Sequence, residues 1–231
     1  AEMTYARYQL GKYLRHDVVA QSPEEQTLFD DLQRATASKG FIQTTVLKRL
    51  ASSPKAFFIT VEKMLLRAHI LRYSLANDLP IPVGTIADKY YLDDSEDEDI
   101  AFDELANDED RTDSDGSWAK GVSEAEWDKK ALSAYEALKA NMPKDLKLVR
   151  PDVFDKGALM SDILEDNATL QNIIDRHGAW DPANDSKLNK LEELIAGLES
   201  NQKLLVFSEY ADSIAYLEKH HQAQSAHGRC R

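Results

Sequence analysis

The chain has 231 residues, 42% of them hydrophobic and 30% charged, with a formal net charge of −13. That is enough polypeptide for one large domain or two small ones with a real core, and no stretch nears the roughly 20 apolar residues that cross a bilayer. The one cysteine, Cys230, excludes an internal disulfide, and the opening "AEMTYARYQLGKYL" lacks the basic, apolar and small-residue layout of a signal peptide; both point to a cytoplasmic protein.

In "SPEEQTLFDDLQRA", Ser22 can cap a helix, Pro23 suits its first position and Glu25 can reach back to the cap. A helix over about 23–37 follows. Gly40 breaks the pattern before a shorter helix in "FIQTTVLKRLASS". Ser53 and Pro54 then start another, whose apolar residues Phe57, Val61, Met64, Leu65, Ala68, Leu71 and Leu75 recur at three- and four-residue steps. The spacing predicts a long amphipathic helix. "NDLPIPVGT" ends it, because two prolines and a glycine suit neither a helix nor a central strand.

The next stretch holds most of the charge. Asp93–Asp115 carries thirteen acidic residues and one arginine, a net of −12 out of −13, which leaves −1 for the rest. Self-repulsion and few apolar residues predict a mobile acidic insert over 93–122. Order resumes with a second capping box, Ser123 with Glu126, and a helix that stops before Pro143. "LKLVR" at 146–150 is a short strand candidate. A further helix runs from about 156 to His177, with Leu159, Ile163, Leu170 and Ile174 on one face and Gly178 as its C-terminal cap. "NDSKLNKLEELIAGLES" is helical, "KLLVFSEY" reads as a strand at Leu204–Phe207, and a last helix follows at once. A lone strand cannot satisfy its own backbone and needs a neighbour.

Phosphate chemistry is testable by spacing. A P-loop needs Gly-x-x-x-x-Gly-Lys-Ser/Thr, but Gly11-Lys12 has Ala6 five residues earlier and Tyr13 after it. Asp113, Asp115 and Gly116 sit at the third, fifth and sixth places of a calcium loop, yet Arg111 and Val122 occupy its first and twelfth. A solvated acidic linker accounts for them better. His220, His221, His227 and Cys230 offer zinc-type ligands without a defined spacing. Catalytic, cofactor and metal residues are therefore set at none. In "VLKRLASSPKAF", Lys48, Arg49, Ser52 and Ser53 place two cations and two hydroxyls at a helix N-terminus, which suits a phosphate. The plainer alternative is that Ser53 only caps its helix while the cations face water.

"FIQTTVLKRLASSPKAFFITVEKMLLR" followed by "DSKLNKLEELIAGLESNQKLLVFSEYADSIAYLEKHH" resembles bacterial Swi/Snf-like members of helicase superfamily two, over roughly 38–75 and 184–221. In that family the first pattern lies in the helical region between two RecA-like motor lobes. The other pattern is similar to the entry to the C-terminal lobe, with Asp185, Lys187 and Leu188 matching its leading helix and Leu205, Val206, Phe207 and Ser208 the strand of motif IV. The resemblance implies a mainly α fold: a helical bundle or protrusion, then a partial α/β unit of one strand and one helix. Residues 1–92 and 123–183 would be interlobe helices, 184–222 the start of the second lobe and 223–231 a tail. The parent would be an ATP-driven DNA helicase or translocase using ATP and Mg²⁺. This chain, without P-loop or Mg²⁺-binding acid, would be a non-catalytic fragment that meets DNA through Lys48, Arg49, Ser52, Ser53 and Ser208. Its motif IV strand would pair with later strands and be covered on both faces, hence the unbroken "LLVF". The competing expectation is a standalone helical adaptor that docks partners through the acidic insert, or self-associates through an exposed strand at Leu204–Phe207.

Overall fold

A computed structural model of the chain describes residues 3–35, 39–84, 117–142, 146–199 and 201–228, with backbone alone from 222. Seven α-helices are found among these: α1 (Pro23–Ala35), α2 (Lys39–Ser52), α3 (Pro54–Ala76), α4 (Glu124–Ala140), α5 (Lys156–His177), α6 (Ser186–Ala196) and α7 (Ala211–Gly228). Two short strands, β1 (Ile81–Gly84) and β2 (Leu146–Val149), pair antiparallel with Ile81 opposite Val149. The protein is mainly α, as expected. The acidic run Asp93–Asp115 lies outside the described residues.

The caps act where the sequence puts them. Ser53 Oγ accepts from Ala56 N at 3.1 Å with Pro54 in the first turn of α3. Ser123 and Glu126 form the reciprocal box of α4. Ser22 Oγ accepts from Glu25 N at 3.2 Å, but the Glu25 carboxylate reaches one residue further back, to Gln21 N, and also takes Arg150 Nε at 2.8 Å. Gly40 lies inside the first turn of α2 rather than ahead of it, so the helix starts before the predicted break.

Helix α3 is the axis of the fold. The expected amphipathic stripe is too narrow a description, since fifteen of its 23 residues are buried, including Thr60, Glu62, Arg67, His69 and Ser74. Helices α2, α4 and α5 all pack on it, so it has little water-facing surface to spend on polar side chains. Val61, Leu65 and Ile70 join Trp127, Tyr135, Leu170 and Ile174 in one core cluster. Leu71 and Leu75 join Leu10, Phe29, Ile81, Val153 and Ile163 in the other. Three of the buried polar groups are satisfied in different ways: Thr60 and Ser74 donate to carbonyls four residues back, and Glu62 accepts from Ser117 Oγ and from Trp118 N across the chain.

The sheet tolerates Pro82 because β1 is paired on one side only, so a missing N–H need not break a ladder. Arg7 Nη2 donates to Pro82 O at 3.1 Å and Tyr135 Oη to Pro80 O at 2.9 Å, fixing the strand from two sides. The N-terminal segment is tied to α5 through Asp166, which accepts from Thr4 N, Thr4 Oγ1 and Ala6 N at 2.7–3.0 Å. Gly178 does follow α5, but with ordinary right-handed φ of −71°. It is glycine for space: a Cβ there would come within 2.5 Å of Ile174 O and 2.9 Å of Ser117 Cβ.

The expected strand at Leu204–Phe207 is a correction. The run belongs to no sheet, and no strand pairs with it among the described residues. Its side chains are 42, 76, 41 and 85% exposed in order. High β-propensity is not enough to make a strand where no neighbouring edge is offered.

Candidate nucleic-acid interface

The sequence candidates converge at one corner. Helix α2 ends at Ser52, Ser53 caps α3, and the turn between them faces the segment 208–213 that opens α7. Ser52 Oγ lies 2.8 Å from Ser213 Oγ and 3.5 Å from Ser208 Oγ, and Ser53 Oγ lies 3.1 Å from Ser213 Oγ. Ser208 Oγ in turn accepts from Tyr210 N at 3.2 Å, just ahead of the first turn of α7. Five residues chosen along the sequence, Lys48, Arg49, Ser52, Ser53 and Ser208, thus meet across more than 150 positions.

The two cations differ in kind. Arg49 is buried, its Nη1 is 3.1 Å from Asp212 Oδ2, and its guanidinium lies over the Tyr210 ring at 4.2 Å. It does not face water, contrary to the plainer sequence alternative. Lys48 is exposed, with its ammonium 3.7 Å from Glu209 Oε1. A carboxylate accompanies each cation, so the corner is close to neutral. Glu209, Tyr210, Asp212 and Ser213 are the members that reading by sequence neighbours missed. Their signal is the acidic, polar run "SEYADS" at a helix start, where Asp212 also suits the positive end of the helix dipole.

Chemically, the corner can hold α7 against α2 and α3. Helix α6 is drawn in as well: Lys187 Nζ donates to Ala51 O at the end of α2. Asp185 caps α6 through Lys187 N and Leu188 N and accepts from Tyr216 Oη of α7 at 3.1 Å. For an added anion the accessible groups are the Lys48 ammonium and the half-buried Ser52 and Ser208 hydroxyls; a phosphate would compete with Glu209 for the lysine.

Other sequence candidates are placed as follows. Gly11 lies in a tight turn under α1, where a Cβ would sit 2.3 Å from Leu32 O; its glycine serves packing. Arg111, Asp113, Asp115 and Gly116 lie outside the described residues, as do the side chains of His227 and Cys230. Among the described residues no group of three or more His, Cys, Asp or Glu could hold a metal ion, and no helix is long and apolar enough to cross a membrane. No protein-family model, curated protein or solved structure matches this chain.

Proposed function

We propose that this chain is the helical region between the motor lobes, with the opening strand and helix of the second lobe, of a Swi/Snf-like ATP-driven DNA helicase or translocase. One observation supports it most: Leu204–Phe207 is a continuous apolar run, open to water and outside any sheet, joined directly to a helix that is firmly seated. Apolar runs of that kind belong in parallel sheets covered on both faces. Strands outside the described residues would complete it. Lys48, Ser52 and Ser208 then contact backbone phosphates, while Arg49, Ser53 and Asp212 hold the two helical junctions in register. ATP and Mg²⁺ bind elsewhere in the parent, between its lobes.

The test starts with the genomic DNA on both sides of this coding sequence, read in all frames. The reading predicts a P-loop upstream and the remaining second-lobe motifs downstream, and a polypeptide spanning them that hydrolyses ATP in a duplex-DNA-stimulated manner. In that polypeptide Val206→Asp lowers the stimulated rate at least tenfold. Absence of both motifs in every frame contradicts it.

The exposure of Phe207 at 85% also favours a second reading, an adaptor that offers this run to a partner strand or to a second copy of itself. Sedimentation of the chain over a hundredfold concentration range separates self-association from a monomer, and Phe207→Asp abolishes the association if this second reading holds.

A further inference from the structure

Between α3, the start of α4 and the middle of α5 lies a cavity of about 290 Å³, well away from the α2–α3 corner. Its walls combine apolar surface from Val122, Leu164 and Ala168 with the polar side chains of His69, Arg72 and Asn167. Asn167 and His69 are each only 6% exposed. Both amide atoms of Asn167, the Nδ1 of His69 and the Nε of Arg72 are buried without a hydrogen-bond partner. Leaving such groups unmet is costly, and native proteins hold few of them. All four belong to side chains that line this one cavity.

The neighbouring groups are already engaged. Trp127 stacks on His69 at 4.6 Å with the rings nearly parallel, and its indole N–H donates to Gln171 Oε1 at 2.9 Å. The Gln171 amide in turn donates to Ala119 O and Asp175 Oδ1. The Arg72 guanidinium ends are taken by Glu124 and Asp128. The aromatic stack and these pairs engage the other lining groups, and Asn167, His69 Nδ1 and Arg72 Nε keep unmet hydrogen-bonding capacity that a small side-chain shift would turn to a ligand.

We propose that this cavity binds a small uncharged ring compound carrying a planar amide edge. A ligand carbonyl accepts from Asn167 Nδ2 and Arg72 Nε, and a ligand N–H donates to Asn167 Oδ1, the complementary pairing of two amides. The ring lies against Leu164, Ala168 and Val122. Charge selects the class: Glu124 and Asp128 outweigh Arg72, so a carboxylate is repelled, while a cation would leave the arginine and asparagine donors unmet. The volume is at the lower end of the range for small-molecule sites, which suits a single ring.

The Trp127 indole N–H gives a reporter on the cavity wall in a ¹H–¹⁵N spectrum of the full chain. Benzamide and uracil serve as probes, with benzoate and toluene as the charged and apolar comparators. At least one probe is expected to shift that cross-peak saturably, with benzoate and toluene at least tenfold weaker. Asn167→Leu, which keeps the volume and removes the amide, is expected to weaken the response at least tenfold with the rest of the spectrum retained. Leu164→Phe, which fills the cavity and leaves the amide, is expected to do the same and serves alone if the leucine variant does not fold. No saturable shift from either probe, equal response to benzoate or toluene, or unchanged binding in the folded variants would overturn the proposal.

Discussion

Helix α3 and the run Leu204–Phe207 both carry many apolar side chains, yet fifteen of the 23 residues of α3 are buried and all four of the run are exposed. The difference lies in the backbone. A helix satisfies its N–H and C=O groups within itself, so α3 needed only side-chain neighbours, and α2, α4 and α5 supply them on every side. A strand must borrow its hydrogen bonds from an edge. The one sheet described here, β1 with β2, lies elsewhere. Within the described residues the helical body buries its apolar faces, and the C-terminal arm is seated by its helices while Leu204–Phe207 stays exposed and outside any sheet.

That contrast can be sharpened by substitution, and the largest effect is expected at its centre. Leu65 is fully buried in α3; Leu65→Ala is expected to cost about 3 kcal/mol, read from the urea midpoint. Gly11→Ala comes next at about 2 kcal/mol, because the new methyl meets the α1 backbone, which cannot step aside as a side chain can. Asp212→Ala removes the carboxylate 3.1 Å from the buried Arg49 guanidinium. About 2 kcal/mol is expected for losing this charge-assisted hydrogen bond, visible as faster amide exchange in α7 while α3 remains protected.

Acid tests the body from another side. Burial, with the Arg72 charge beside it, holds His69 neutral down to about pH 3, against an ordinary value of 6.5. Between those values the unfolded chain binds a proton that the folded chain refuses. The His69 contribution is therefore intact above pH 6.5 and is lost as the pH falls through the window toward 3. From pH 6 to pH 5 this one group should lower stability by about 1 kcal/mol, and His69→Gln should remove that slope in paired urea titrations. The smallest effect belongs to the arm: Phe207→Ser should change stability by less than about 0.5 kcal/mol, because an 85% exposed side chain has little burial to lose.

Much of the body was legible in the sequence because its boundaries are written locally. Ser22-Pro23, Ser53-Pro54 and Ser123 with Glu126 each start a helix where expected. The burial of α3 all round was hidden by Glu62 and His69, polar residues whose partner or stacking neighbour lies far along the chain. Strand β1 was obscured by its own proline, which only a one-sided pairing accommodates. At the α2–α3 corner the basic and serine members could be picked out, and the resemblance supplied Ser208. The carboxylates Glu209 and Asp212 could not be assigned to Lys48 and Arg49, since nothing local says that α7 returns to the end of α2.

Amide hydrogen exchange on the chain alone tests most directly whether Leu204–Phe207 lacks a strand partner. The account predicts that the amides of 204–207 exchange at close to unstructured rates while those of 61–71 in α3 approach the protection set by global unfolding. Strong protection at 204–207 in a monomeric sample would contradict it, because the run would then already have its strand partner.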